Sequence, residues 1–261
     1  MIARIPKDIP DLPAIPGMPV LMPSAVPAAA VVAPTRRPLT TAFRLLVALT
    51  ATVGVTIDLI LGSPLRVLTY FTVQSSVLVA LIFTLSAWRA WAARRPLPAL
   101  LTGGTLLYAV IAGLVYHLLL AHEPTPFTMT GQPGPLTGWQ ALTNQLLHTV
   151  VPAAVVLDWL FLTSSGRLRL RQASAWLLYP LAYLALTLAR GELILPGTPG
   201  RYLYPFLDVE QHGYKSVLGN ALLLGLAFYA LAVLLVTLDH VRPNPLRRRA
   251  KNGFRLQPPV G

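Results

Sequence analysis

The chain has 261 residues, of which 54% are hydrophobic and 11% are charged. Soluble domains carry about 25% charged residues, so this composition excludes an ordinary water-soluble globular protein and indicates an integral membrane protein. The absence of cysteine excludes disulfides, thiolate nucleophiles and cysteine–metal sites, while the formal net charge of +12 has to be interpreted from its placement along the chain.

Residues 1–40 are predicted to be a disordered Pro/Ala-rich N-terminal tail. Prolines at this frequency prevent helix formation and favour extended chain; they are Pro6, Pro10, Pro13, Pro16, Pro19, Pro23, Pro27, Pro34 and Pro38. The apolar stretch 18–32 is interrupted by proline and lacks a basic region directly before it, so we do not interpret it as a signal peptide. A contact with a partner protein is the alternative role for this tail.

Six apolar segments follow, each long enough to cross a bilayer as a helix. The predicted spans 1 to 6 cover residues 41–61, 67–88, 98–120, 138–162, 173–189 and 215–240. The sequence therefore predicts an all-α polytopic membrane protein, a bundle of six transmembrane helices within residues 41–240. Residues 241–261 form a basic C-terminal tail.

The basic residues alternate between the two sides of the predicted bundle. One side has Arg36, Arg37, Arg89, Arg94, Arg95, Arg167, Arg169, Arg171 and the C-terminal tail, whereas the other has only Arg66, Arg190, Arg201 and Lys215. By the positive-inside rule both termini are cytoplasmic, in a multi-pass protein of the cytoplasmic (inner) membrane. The positive charge then contacts anionic lipid headgroups, and nucleic acid is not a predicted partner.

This topology places polar side chains of several spans in the outer half of the membrane, where their cost makes them candidates for function. They are Asp58, Thr72, Gln74, Ser75, Ser76, Tyr116, His117, Asn144, His148 and Arg190. Asn144 and His148 are four residues apart and share one helix face. Pro152 leaves a carbonyl near His148 without its usual donor, which predicts a kink and a wider space there.

Thr72 and His148 supply a nucleophile and a base if spans 2 and 4 pack together. A hydroxyl needs a group that removes its proton, and neutral imidazole does so near pH 7. Asn144 is positioned to orient the imidazole or to donate to an oxyanion.

Each of these residues also has a structural interpretation. A threonine in a span usually bonds the preceding turn, and a buried histidine usually bonds a neighbouring helix. Asp58 and Arg190 are candidates for an ion pair with each other, or for contact with headgroups. Asp158 is predicted to form a salt bridge with the basic loop 167–171.

Four short pieces of the sequence resemble the Pr-six-Pr family, a group of bacterial six-helix membrane proteins. The pieces are 70–75 (YFTVQS), 147–152 (LHTVVP), 179–183 (YPLAY) and 204–208 (YPFLD), in order within residues 40–240. More distantly, they resemble the androgen-induced and androgen-dependent membrane proteins, which are intramembrane threonine hydrolases of fatty acid esters of hydroxy fatty acids. That resemblance implies Thr72 as the nucleophile and His148 as its histidine partner, and it matches the segment from Tyr204 to Asp208.

The sequence thus predicts an intramembrane hydrolase of fatty acyl esters, with Thr72 and His148 catalytic in a cavity near the outer leaflet. The substrate-binding residues are predicted to be Asn144, Arg190, Tyr204, Asp208, His117 and Gln74. The alternative is a non-enzymatic lipid-binding or transport protein, in which Arg190 binds a phosphate or carboxylate headgroup. A third possibility is a structural partner of other envelope proteins that binds through the N-terminal tail.

No cofactor is predicted, because the sequence has no glycine-rich phosphate loop. No metal site is predicted either, because the outer histidines have no helical ligand spacing such as i, i+4. These histidines are His117, His122, His148 and His212.

Overall fold

The computed structural model describes residues 36–122, 127–130, 136–198 and 200–244, and within these ranges all regular elements are helical. Six of the described helices are long and apolar enough to cross a membrane. They are α1 (Pro38–Leu61), α2 (Phe71–Trp91), α3 (Ala99–Leu120), α4 (Gly138–Leu162), α5 (Leu170–Leu193) and α6 (Val209–Val241). The predictions for the tail 1–35 and for residues 245–261 lie outside the described residues.

The second helix begins later than the predicted start of span 2 at residue 67. Pro64–Val67 forms a separate one-turn helix, with a proline in its first turn. Tyr70 then has extended backbone angles (φ −75°, ψ 134°), and α2 begins at Phe71. Thr72 consequently lies in the first turn of α2, where backbone N–H groups lack partners within the helix.

The first four long helices form the packed part of the bundle. Helix α1 packs along α2, and both contact α4 around Leu146–Val150. Helix α3 lies against α2 and α4. Helices α5 and α6 pack mainly on each other, and most of their remaining helix–helix packing is against α3. A space remains between α3 and the α5–α6 pair, and the candidate site lies in this space.

Helices α3 and α4 both contain π-helical turns, at Tyr116–Leu120, Leu146–Val150 and Asp158–Leu162. Such turns are rare and usually occur where side chains are redirected for function. Pro152 has no N–H to donate to the carbonyl of His148. This carbonyl faces Gly113 of α3, where an added Cβ would lie 3.1 Å from the oxygen. A glycine at 113 thus lets α3 approach α4 closely at the level of His148.

The buried carboxylate of Asp239 joins several elements at one end of the bundle, which we call the Asp239 end. Asp239 is 1% exposed and accepts hydrogen bonds from Trp159 Nε1 (3.0 Å) and from the backbone N–H of Arg167 (2.7 Å) and Leu168 (2.9 Å). Arg242 pairs with it at 2.8 Å. These bonds join α6 to α4 and to the connection before α5.

Asp158 forms the predicted structural salt bridge, but with a different partner. Its carboxylate accepts from Arg44 Nε at 2.8 Å and from Thr163 Oγ1 at 2.9 Å. The prediction of a partner in the loop 167–171 is wrong, because the backbone of that loop is bonded to Asp239. Arg44 lies inside α1, 114 residues away from Asp158 in sequence.

Replacing Gly103 by alanine is expected to destabilise the bundle by about 1–3 kcal/mol, the usual cost of overpacking. The added Cβ would lie 2.7 Å from Trp176 Cη2 and 2.8 Å from Leu168 Cδ2, so α3 and α5 would have to separate. The matched control is Gly219→Ala in α6, where nothing lies within 4 Å of the new atom. Thermal unfolding in detergent micelles, followed by circular dichroism, should rank Gly103→Ala below both the native chain and the control. Equal midpoints for the two variants would contradict this packing.

Candidate functional site

A cavity of about 410 Å³ lies between α3, α5 and α6, beneath the start of α2. This volume is within the range of roughly 300–1,000 Å³ that is usual for small-molecule sites. Its wall is almost entirely apolar, and the side chains with hydroxyl groups on it are Thr72, Tyr183, Tyr204 and Tyr229. Leu222 and Leu226 of α6 line the cavity, yet they are 74% and 66% exposed. The cavity is therefore open toward the side of the bundle, beside α6.

Thr72 is the predicted nucleophile, and the structure places it on the cavity wall. The residue is 3% exposed, and its carbonyl accepts a hydrogen bond from Ser75 Oγ at 3.0 Å. The Thr72 side chain lies near the Tyr204 hydroxyl, and both line the cavity.

Two tyrosines continue the polar end of the cavity. Tyr204 also lies near Tyr183, whose hydroxyl donates to the carbonyl of Thr69 at 3.0 Å. Burial raises the pKa of Tyr204 well above its usual range, which keeps it a neutral hydroxyl.

His148 is buried close to this group but has a different environment. The residue is 1% exposed, and Nδ1 lies 3.2 Å from the carbonyl oxygen of Asn144. A carbonyl accepts only, so Nδ1 carries the proton and Nε2 is left as an acceptor. Nε2 has no hydrogen-bond partner among the described residues. The ring is stacked on Tyr116 with a centroid distance of 4.2 Å.

Phe127 connects the histidine with the cavity. Its ring meets the His148 ring edge-on at 6.1 Å and stacks on Tyr204 at 5.8 Å. Thr72 and His148 therefore adjoin one aromatic cluster, but they form no hydrogen bond with each other, and His148 is not on the cavity wall. The amide of Asn144 donates to the carbonyl of Phe127 at 2.8 Å, so it holds this ring rather than the imidazole.

The other predicted substrate-binding residues lie around the cluster. His117 Nε2 is 2.9 Å from Thr149 Oγ1, which ties α3 to α4. Gln74 accepts from the Tyr179 hydroxyl at 2.6 Å and donates to the carbonyl of Leu68 at 3.0 Å. Neither residue is on the cavity wall.

Asp208 and Arg190 organise the loop that carries Tyr204. Asp208 caps α6 by accepting from the backbone N–H of Glu210 at 2.9 Å. Arg190 Nη1 donates to the carbonyls of Gly200 (3.3 Å) and Arg201 (2.9 Å).

Asp58 and Arg190, suggested as an ion pair, do not form one. Asp58 instead accepts from Thr143 Oγ1 at 2.7 Å, and its Oδ2 has no hydrogen-bond partner among the residues that the structure describes.

Two members of the cluster, Tyr183 and Phe127, are absent from the functional candidates of the sequence analysis, and Tyr116 is among those candidates without an assigned role. Tyr183 lies in one of the four pieces that carry the family resemblance, and that was its available signal. Phe127 follows a proline-rich loop, and nothing local distinguishes it from an interfacial aromatic residue. Across the described ranges, no group of three His, Asp or Glu side chains is arranged to hold a metal ion.

Comparison with known proteins adds no family to this description. No family model, no curated protein and no solved structure matches the chain. The assignment of function therefore depends on the geometry of the site and on the resemblance of the short pieces.

Proposed function

We propose that this protein binds an acyl lipid in the cavity and hydrolyses its ester at Thr72. The observation that carries the proposal is the hydroxyl group of Thr72 at the polar end of an otherwise apolar, sideways-open cavity. Such a shape accepts a hydrocarbon chain and places a polar ester beside Thr72, Tyr183 and Tyr204. The resemblance to intramembrane threonine hydrolases supports the same residue.

The proposed reaction has two steps. Thr72 Oγ1 attacks the ester carbonyl carbon while its proton passes to His148 Nε2, and the leaving alkoxide then takes that proton. Water next cleaves the acyl-threonine with His148 again as base, which releases the fatty acid. The neutral Tyr204 hydroxyl is placed to donate to the carbonyl oxygen as it becomes negative.

The imidazole is suited to this role by its protonation pattern. Nδ1 donates to the carbonyl of Asn144, so Nε2 is an acceptor, and no described residue bonds it. The proposal requires Thr72 to turn from Tyr204 toward Nε2 when a lipid is bound. Catalytic hydrogen bonds are often formed only in the substrate complex.

Lipid binding without chemistry is the second candidate function, and one observation favours it. Thr72 and His148 form no hydrogen bond, and His148 does not line the cavity. In that case the hydroxyl groups would hold a lipid in place, and bound lipid would be recovered intact.

The proposed setting is the cytoplasmic membrane, with both termini inside. The uneven distribution of basic residues supports this orientation. The cavity and Tyr204 would then lie in the outer half of the bilayer, and the Asp239 end would face the cytoplasm. Cysteine substitutions in the loops, labelled from outside intact cells, test the orientation.

Hydrolysis of a panel of lipid esters by purified protein separates the two candidates. Release of fatty acid that disappears in Thr72→Ala supports the hydrolase. Co-purified intact ester, with no release above that of the variant, supports binding alone.

Filling the cavity is expected to weaken lipid binding by at least about 10-fold, because a new side chain would occupy the site of the acyl chain. The change is Gly225→Phe in α6, since Gly225 lines the cavity and has open space where a side chain would begin. Gly219→Phe is the matched control on the same helix, also open but away from the cavity. Displacement of a fluorescent fatty acyl probe measures both variants. Equal displacement curves for the two would show that the chain binds elsewhere.

A further inference from the structure

Two arginines meet at Gly200, at the same end of the bundle as Tyr204. The guanidinium of Arg66 lies against Gly200, so that an added Cβ would be 2.7 Å from its central carbon. Arg190 Nη1 donates to the carbonyl of the same glycine at 3.3 Å. Gly200 has φ +77°, a left-handed conformation that also favours glycine. Two cationic groups from distant parts of the chain thus adjoin a single residue.

The nearby carboxylates do not neutralise these two arginines. Arg201 forms salt bridges with Glu210 (2.6 Å) and Glu192 (3.7 Å). Asp208 is used as the cap of α6. Within the described ranges, neither Arg66 nor Arg190 has a carboxylate partner, and Arg66 Nε is buried without any hydrogen bond. A buried donor that lacks an acceptor is costly, which points to a ligand.

The arginines lie farther toward the same end of the bundle as the hydroxyl groups of the cavity. Arg190 follows Tyr183 by seven residues, so both are on one face of α5, roughly 10 Å apart along the axis. Arg66 is connected through Thr69, whose hydroxyl donates to the Arg66 carbonyl and whose own carbonyl accepts from Tyr183. From the cavity toward Gly200, the apolar wall is therefore followed by the hydroxyl groups and then by the two guanidinium groups.

We propose that Arg66 and Arg190 form a binding site for an anionic group of the lipid whose chain occupies the cavity. This inference rests on the proposed function and narrows its substrate class to acyl lipids that bear a phosphate or a carboxylate. Guanidinium groups bind such anions through paired N–H donors. The ester lies between the chain and the anion, at the level of Thr72.

The test compares two probes with the same chain, hexadecyl phosphate and hexadecanol, bound to the full-length protein in zwitterionic detergent. The native protein should bind the phosphate at least about 10-fold more tightly, in keeping with a charge-assisted site. Arg66→Gln and Arg190→Gln should each remove most of this preference while the affinity for hexadecanol stays unchanged. Lys215→Gln is the control, because it removes one exposed cation near the same end without touching Gly200.

The outcomes separate this inference from the proposed function. Equal affinities for the two probes, or a preference that survives Arg66→Gln, would overturn the anion site and leave chain binding intact. Failure of both probes to bind would overturn both proposals. Inorganic phosphate alone should not protect the native protein from heat; if it does so as well as hexadecyl phosphate, the site belongs to a free anion and not to a lipid. The Arg66 side chain makes no hydrogen bond to the described residues, so its variant stays informative if Arg190→Gln does not fold.

Discussion

Replacing Thr72 by alanine is expected to lower the proposed ester hydrolysis by roughly 10³-fold or more, because the proposed nucleophile itself is removed. The cavity wall and the position of His148 are otherwise preserved. Lipid affinity should change little, since one hydroxyl among several at the polar end is lost. Turnover of a fluorogenic acyl ester and displacement of a bound acyl probe measure the two effects separately.

Thr72→Ser is the matched control for the nucleophile. It keeps a hydroxyl at the same place and should retain activity within about 10-fold, while Thr72→Ala does not. A covalent acyl-enzyme on residue 72, trapped by acid quench and found by mass spectrometry, is expected in the native protein and in Thr72→Ser. Activity in Thr72→Ala equal to that of the native protein would eliminate the proposed reaction.

Replacing His148 by phenylalanine is expected to lower hydrolysis by about 10²–10⁴-fold, the usual contribution of a general base. The same change should leave stability unchanged or slightly higher. A phenylalanine keeps the ring stacked on Tyr116 and removes the buried Nε2, which no residue in the described part of the chain bonds. It loses one hydrogen bond to the carbonyl of Asn144, worth about 0.5–1.5 kcal/mol. The desolvation cost that disappears with Nε2 is of similar size.

The combination of lost activity and retained stability distinguishes a base from a structural histidine. Turnover and the unfolding midpoint are measured on the same preparation. A structural role for His148 would give the opposite pattern, with a lower midpoint and an activity that falls only in proportion to the folded fraction. His117→Phe provides a comparison, because His117 bonds Thr149 at 2.9 Å and should not be needed for turnover.

The helices could be predicted from the sequence because hydrocarbon length sets a simple criterion. The predicted span 138–162 and the helix Gly138–Leu162 coincide, and 98–120 differs from Ala99–Leu120 by one residue. The sequence predicts span 6 from residue 215, whereas α6 begins at Val209. Gly213 has non-helical backbone angles (φ +71°, ψ 159°), so a short capped turn precedes the long helix, and the prediction covers only the long part.

The partners of polar groups could not be predicted, because they depend on residues far apart in sequence. The side-chain amide of Asn144 donates to the carbonyl of Phe127, 17 residues earlier in the sequence, and Asp158 is paired with Arg44. Depth in the membrane indicated that Thr72 and His148 belong near one another. It did not indicate that Phe127 and Tyr204 would connect them.

If the proposed function is correct, the exposed leucines at the cavity, Leu222 and Leu226, mark the side from which a lipid arrives. In a bilayer this opening beside α6 would face hydrocarbon rather than water, so the lipid would enter by lateral diffusion within its own leaflet. The quantity that governs occupancy is then the mole fraction of that lipid among its neighbours, and not its concentration in the surrounding buffer.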